Sequence, residues 1–272
     1  VRRRPNYFAG AAALVWLLII GTPLYAMLAT ALRPKEQYVD SGPLALPRSI
    51  TFDNFRTVLA GDVPRYILNT IIVAVLTMLV VLLLSVPVGY AVVRGRGVWS
   101  SSVFRLFLLG LAIPSQAVII PVFLLINELG LYDTYWAIIL PTAAFSLPVS
   151  VLVLAGGMRD IKNELYESMA MDGASAGRTL LQLVIPLSRS SISTVAVFTA
   201  LSAWNGFLFP LILTQSTSTK VITLGVYDFI GQYQVNPPEV FAAVFVSALP
   251  ILVIYLFARK ALVRGLAGAG GK

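Results

Sequence analysis

Residues 66–93 read YILNTIIVAVLTMLVVLLLSVPVGYAVV, twenty-eight positions without one Asp, Glu, Lys or Arg. As an α-helix rising 1.5 Å per residue, that run extends about 42 Å, more than the hydrocarbon core of a bilayer, about 30 Å thick. In lipid every backbone N–H and C=O must be satisfied internally, so the run predicts a membrane-spanning helix. Five further stretches lack charge: 5–32, 106–127, 134–158, 190–219 and 240–258. All 20 basic and 12 acidic residues lie between them or at the termini. The expected fold class is an all-α integral membrane protein with six transmembrane helices, and one permease domain over 1–272. The spans are placed near 8–32, 66–93, 106–127, 134–158, 190–214 and 240–258.

Composition agrees. Hydrophobic residues make up 58% of the chain and charged residues 12%, about half the charged share of a soluble domain. Such a chain is neither disordered nor disulfide-stapled, since it has no Cys. With no His either, the usual zinc, haem and thiol ligands are missing.

Basic residues set the orientation. With the N-terminus inside, only Arg33, Lys35, Arg48, Arg56, Arg65 and Lys220 face outward, leaving 14 of the 20 inside. Both termini are therefore expected in the cytoplasm. The net charge of +8 then faces anionic lipid headgroups and cytoplasmic partners, not nucleic acid. Arg2 to Arg4 with Ala29-Thr30-Ala31 could instead form a cleaved signal peptide, but the apolar run exceeds the usual 7–15 residues. The outer loop 33–65 holds Pro34, Pro43, Pro47 and Pro64 and is expected to be a turn-rich cap without helix. Pro87, Pro114, Pro141, Pro148 and Pro210 are expected kinks.

The inner loop 159–189 differs from the others. From Glu164 to Pro186 it reads ELYESMAMDGASAGRTLLQLVIP. Ile161, Leu165 and Met169 recur every four residues, with Glu164 and Glu167 elsewhere on the wheel, so a short amphipathic helix is expected. Its stripe would rest in a partner's groove or on the bilayer. Gly173 suits the left-handed residue that ends a helix, and Asp172 is expected to cap the next one. A second helical pattern runs through Leu180, Leu181 and Val184 into the fifth span.

This segment resembles the EAA loop of ABC importer permeases, roughly E-A-A-x-x-x-G, nine residues, then I-x-L-P. It stands here as Glu167, Ser168, Met169 and Gly173, then Leu183, Ile185 and Pro186. Glu164 and Asp172-Gly173-Ala174 are similar to the carbohydrate-uptake branch, as are TFDNF at 51–55, AIPSQ at 112–116, AWNGF at 203–207 and the tail from Val263. Overall the chain resembles the MalG-type permease with the type I importer transmembrane fold. Ser168 and Met169 replace the motif's two alanines, and Gly206 stands where many relatives carry an acid.

The resemblance implies a non-catalytic subunit of an ATP-driven importer. It would pair with a second permease, as a heterodimer, and with two ATPase subunits that bind ATP and Mg, so this chain needs no cofactor. An extracytoplasmic binding protein would deliver a sugar or related polar solute. Glu164, Glu167, Ser168, Met169, Asp172, Gly173 and Ala174 would dock the ATPase. Among the few polar residues inside the spans, Gln116, Trp204 and Asn205 are candidates for the solute path, the amides by hydrogen bonding and the indole by stacking. Interhelical hydrogen bonding is the alternative for each such residue, as for Asn69 and Asn127.

Rival readings are weaker. An ion-coupled transporter commonly carries a carboxylate or His within a span, and no charge-free stretch contains one. A membrane enzyme needs convergent acid–base or nucleophilic groups, and no G-x-x-x-x-G-K-[ST] phosphate loop occurs. A purely structural subunit leaves the inner loop unexplained.

Overall fold

Apolar segments that long can satisfy their own backbone only as helices, and the chain is helical nearly throughout. The computed structural model describes residues 7–95, 97–229 and 236–270, with side chains except at 9 and 254–270, and the described residues form helices joined by short loops, without strands. Arg2 to Arg4 and Lys272, used above for orientation, lie outside the described residues, and so do the side chains of the tail from Val263.

Three helices are uninterrupted and apolar enough to cross a membrane: Tyr7–Ala31, Val63–Arg94 and Tyr135–Arg159. Two more spans arise if each bent pair counts as one. Val98–Gly110 meets Ser115–Glu128 at 91°, and Ala176–Leu187 meets Arg189–Trp204 at 80°. The helix Pro237–Gly270 carries a shorter apolar part, Pro237–Val253. The stretch 106–127 is thus broken near its start. Pro114 has no N–H and disfavours helical backbone at Ile113. The stretch 190–219 also breaks, at Asn205 to Phe207, before a short helix Leu208–Leu213. Pro87, Pro141 and Pro148 lie inside helices, whereas Pro114 lies at the break.

The chain divides into two compact units. The first comprises Val1–Pro64 and Gly225–Pro250. Here the outer loop departs from expectation: it contains two helices, Lys35–Ser41 and Asp53–Ala60. Its prolines flank these helices instead of interrupting them. Pro34 sits at an N-cap, and Gly42, with φ +75°, ends the first helix. Arg33 organises this unit from complete burial. Its guanidinium donates to the carbonyls of Ala29 (3.0 Å), Gly42 (2.9 Å) and Pro43 (3.0 Å) and to the Thr30 hydroxyl (3.0 Å). Asn54, from the TFDNF stretch, donates to the carbonyls of Ala31 (2.8 Å) and Arg33 (2.9 Å). Lysine cannot reproduce Arg33's planar fork of donors. Arg33→Lys is expected to weaken the segment by about 2 kcal/mol, the scale of a lost charged hydrogen bond. Faster tryptic cleavage at exposed Arg48 reads that loss.

The second unit comprises Arg65–Leu224 and Ile251–Lys272. Tyr135–Arg159 is its central helix, packed by Val98–Gly110, Arg189–Trp204 and Leu208–Leu213. Small residues permit the close approaches that drive helix association in lipid. A Cβ at Gly110 would lie 2.9 Å from Pro148, one at Gly89 would lie 3.2 Å from Leu154, and one at Gly157 would collide with Ser191. Asn69 is one of the interhelical cases. Its amide donates to the carbonyls of Ser218 (2.9 Å) and Lys220 (2.8 Å) and accepts from the Tyr135 hydroxyl (2.7 Å).

Candidate functional site

The inner loop begins where Tyr135–Arg159 ends, and its first helix is Asn163–Met171. A Schellman motif stops that helix. The N–H of Gly173 donates to the Ala170 carbonyl (3.1 Å), and the N–H of Ala174 donates to that of Met169 (2.9 Å). Gly173 supplies the required φ, +69°. The cap of the next helix differs from expectation. Asp172 closes the first helix, while Ser175 caps the second, its hydroxyl accepting from the Arg178 N–H at 3.3 Å. Ser175 stands immediately before the helix, three residues after Asp172, and adopts extended backbone (φ −65°, ψ 161°), the geometry a cap needs.

The second helix starts at Ala176–Thr179 and continues as a π-turn over Leu180–Val184 before Ile185–Leu187. Pro186 is the physical reason. It offers no N–H to Gln182 and its ring would clash there, and a wider turn relieves both.

A stripe different from the expected one seats the first helix. Leu165 is 41% exposed, whereas Tyr166 is 5% exposed. The Tyr166 ring stacks on Tyr90, centroids 6.5 Å apart, and the Arg94 guanidinium lies 4.2 Å from its centre. Arg94 also donates to the Asn163 side chain at 3.0 Å. Ile161, Tyr166, Val184, Met158 and Leu154 share one core cluster, flanked by Leu180, Leu183 and Ile185. The loop is therefore clamped to the last turns of Val63–Arg94 and Tyr135–Arg159. Burial raises the pKa of the Tyr166 hydroxyl above its ordinary 10, against the lowering pull of Arg94. Among the described residues the hydroxyl has no hydrogen-bond partner. Sequence reading overlooked Tyr166, although it follows Ile161 at a spacing of five and precedes Met169 by three.

With that face occupied, the opposite face is open. Glu164, Glu167, Ser168, Asp172 and Gly173 are exposed, and Met169 and Ala174 are half-buried. Ser168 turns its hydroxyl back to the Leu165 carbonyl at 2.9 Å. Leu165 and Met171 add apolar surface between the acids, Met171 at 84% exposure. A helix held rigidly from behind, with a mixed acidic and apolar outer face, suits gripping by another protein.

The solute-path candidates lie at the two breaks. Gln116 is exposed, beside the 91° bend. Trp204 ends its helix and is buried, while Asn205 is exposed and donates to the Leu201 carbonyl at 2.9 Å. The indole is thus packed, and it presents no open stacking face in this structure. The Gly206 carbonyl accepts from the Thr223 hydroxyl at 2.7 Å. Leu208–Leu213 packs on Ile119–Glu128 and on Tyr135–Arg159. Irregular backbone at membrane depth is tolerated where protein or a water-filled cavity surrounds it, and broken helices commonly border substrate sites.

Residues 82–267 match a family described as the binding-protein-dependent transport system inner membrane component. The chain belongs to that family. It is an ABC transporter permease subunit of the inner membrane. A putative ABC transporter permease protein of a Caldicellulosiruptor strain is 34% identical, with 94% of this chain and 93% of that one covered. The trehalose transport system permease protein SugB of Mycobacterium tuberculosis is 29% identical, over 99% and 98%. The fold matches that of a bacterial ABC transporter involved in importing the acidic polysaccharide alginate. The TM-score is 0.82 at 20% identity, covering 96% of this chain and 99% of that one.

At the other end of this permease, Asp133 pins a loop. It has φ +58°, and its carboxylate accepts from the N–H groups of Gln215 (2.9 Å) and Ser216 (3.0 Å) and from the Thr219 hydroxyl (2.6 Å). Burial works against ionisation, but these donors outweigh it and lower the pKa from 3.8 to about 2. A depressed carboxylate stabilises above the unfolded value, so the clamp holds at neutral pH and is lost as pH falls from near 4 through about 2. Asp133→Asn keeps the tolerance for positive φ and one acceptor while removing the charge. It is expected to speed hydrogen exchange at Gln215 and Ser216 about fivefold, about 1 kcal/mol for charge assistance.

Proposed function

We propose that this permease forms, with a second and different permease, the path by which a sugar or related polar solute enters the cell. An extracytoplasmic binding protein delivers the solute. Two ATPase subunits bind ATP and Mg and perform the hydrolysis, while this chain carries no catalysis and needs no cofactor. Both termini face the cytoplasm of a bacterial cell. The carbohydrate name of SugB supports the solute class, and the family's description supports the binding protein.

One observation carries the coupling assignment: the outer face of Asn163–Met171 is open while its inner face is locked by Tyr90 and Arg94. Glu164, Glu167, Ser168, Met169, Asp172, Gly173 and Ala174 form the ATPase contact. Gln116, Trp204 and Asn205 border the solute path, with Trp204 needing to leave its packed position before it can meet solute.

The test is purification of the intact complex followed by mass spectrometry, with uptake measured in parallel. An ATPase, a second permease and a solute-binding protein are expected to co-purify. Uptake is expected to survive collapse of ion gradients and to stop when ATP is depleted. The reverse dependence indicates an ion-coupled transporter.

A further inference from the structure

Beside the docking loop, the helix ends leave a cleft of about 190 Å³. It is lined by Val92, Ser100, Ser101, Phe104, Arg105 and Arg159. Two arginines, both exposed, thus line one small cleft. Among the described residues neither is hydrogen-bonded or ion-paired; Arg159 lies over the Phe104 ring at 5.2 Å. Like charges sharing a cleft repel unless an anion lies between them. The surroundings favour an anion further. Among the described residues, Gly97 at the N-cap of Val98–Gly110 offers no side-chain cap to the first turn, which carries Ser100 and Ser101.

The same helix fixes the depth of the cleft. Trp99, Val103 and Leu106 recur at helical spacing on the side opposite Ser100, Ser101 and Phe104. Trp99 is 85% exposed and Leu106 68%. An exposed Trp followed by an apolar stripe marks the level where headgroups meet hydrocarbon. The cleft is therefore a cationic cavity opening at headgroup depth.

We propose that this cleft holds the headgroup phosphate of an anionic phospholipid. Arg105 and Arg159 pair with the phosphate oxygens, and the first turn of Val98–Gly110 and the Ser101 hydroxyl donate to them. Phe104 keeps the Arg159 fork beside the site. The bound headgroup would join Val98–Gly110 to the end of Tyr135–Arg159, next to the docking loop.

The test uses the intact complex in nanodiscs with equal phosphatidylglycerol and phosphatidylcholine, and native mass spectrometry to count retained lipid. Wild type is expected to retain phosphatidylglycerol preferentially. Arg105→Gln with Arg159→Gln is expected to lower that retention about twenty-five-fold, about fivefold for each cation removed. Arg105→Lys with Arg159→Lys keeps the charge and is expected to retain most of the lipid, which separates lost charge from lost fold. Arg178→Gln with Arg189→Gln removes the same charge elsewhere and is expected to leave retention unchanged. Equal retention of the two lipids by wild type overturns the proposal, and so does wild-type retention by the double Gln variant. Displacement of the lipid by millimolar inorganic phosphate overturns the lipid assignment in favour of free phosphate.

Discussion

Gly173→Val is expected to leave the permease inserted and assembled but to lower transport at least about tenfold, the factor that 1.4 kcal/mol represents. The cause is backbone conformation alone. Gly173 has φ +69°, and a Cβ placed there would meet no atom within 4 Å. A β-branched residue at positive φ costs about 2 kcal/mol. The chain can escape that strain by giving up the two hydrogen bonds from Gly173 and Ala174 that stop Asn163–Met171. The helix then ends elsewhere, and Asp172 to Ala174 no longer hold the angle of the face proposed to meet the ATPase. A graded series separates strain from contact. Asn tolerates the left-handed region, so Gly173→Asn is expected to be mild, Gly173→Ala intermediate and Gly173→Val the most severe. Uptake and ATPase activity measured on the same preparations are expected to diverge in that order. Equal damage from all three substitutions would point to a lost contact at Gly173.

Tyr166→Ala is expected to cost more. It removes a buried ring that stacks on Tyr90 and carries Arg94 at 4.2 Å. Large-to-small substitution of a core aromatic costs about 3 kcal/mol or more. If most of that falls on seating Asn163–Met171, the correctly seated population drops about a hundredfold. Uptake is expected to collapse, and proteolysis between Asn163 and Arg178 to accelerate. Tyr166→Phe provides the contrast. The hydroxyl is buried without a partner among the described residues, so its removal is expected to be neutral or slightly stabilising. Loss of transport in the Phe variant as severe as in the Ala variant would assign the role to the hydroxyl and contradict the seat.

These two residues show what the sequence discloses and what it hides. Gly173 is readable because positive φ leaves a chemical signature: glycine after an amphipathic run. Tyr166 escapes because its partners, Tyr90 and Arg94, lie over seventy positions earlier at the end of another helix. The four-residue spacing of Ile161, Leu165 and Met169 drew attention to Leu165, which is exposed. Charge-free length marks helix well, and the uninterrupted helices Val63–Arg94 and Tyr135–Arg159 bracket 66–93 and nearly coincide with 134–158. The same signal is blind to breaks, because Ala112 to Pro114 and Asn205 to Phe207 are as uncharged as the helices around them. Only Pro114 and Gly206 hint at them. The outer loop misled for a related reason. Prolines read as helix breakers, yet Pro34 and Gly42 sit at helix boundaries, where they are compatible with helix. Arg33 could not be read at all. Its burial depends on carbonyls from Ala29 to Pro43, which converge only once the unit folds.

The docking assignment can be tested directly because the chain contains no cysteine. Glu167→Cys gives this chain a single reactive thiol, on the open face of Asn163–Met171, in an otherwise intact complex. Treated with a short bifunctional reagent, it is expected to cross-link to the ATPase subunit, and in intact cells to resist a membrane-impermeant thiol label. Labelling from outside the cell, or a cross-link to the binding protein in place of the ATPase, would contradict the account.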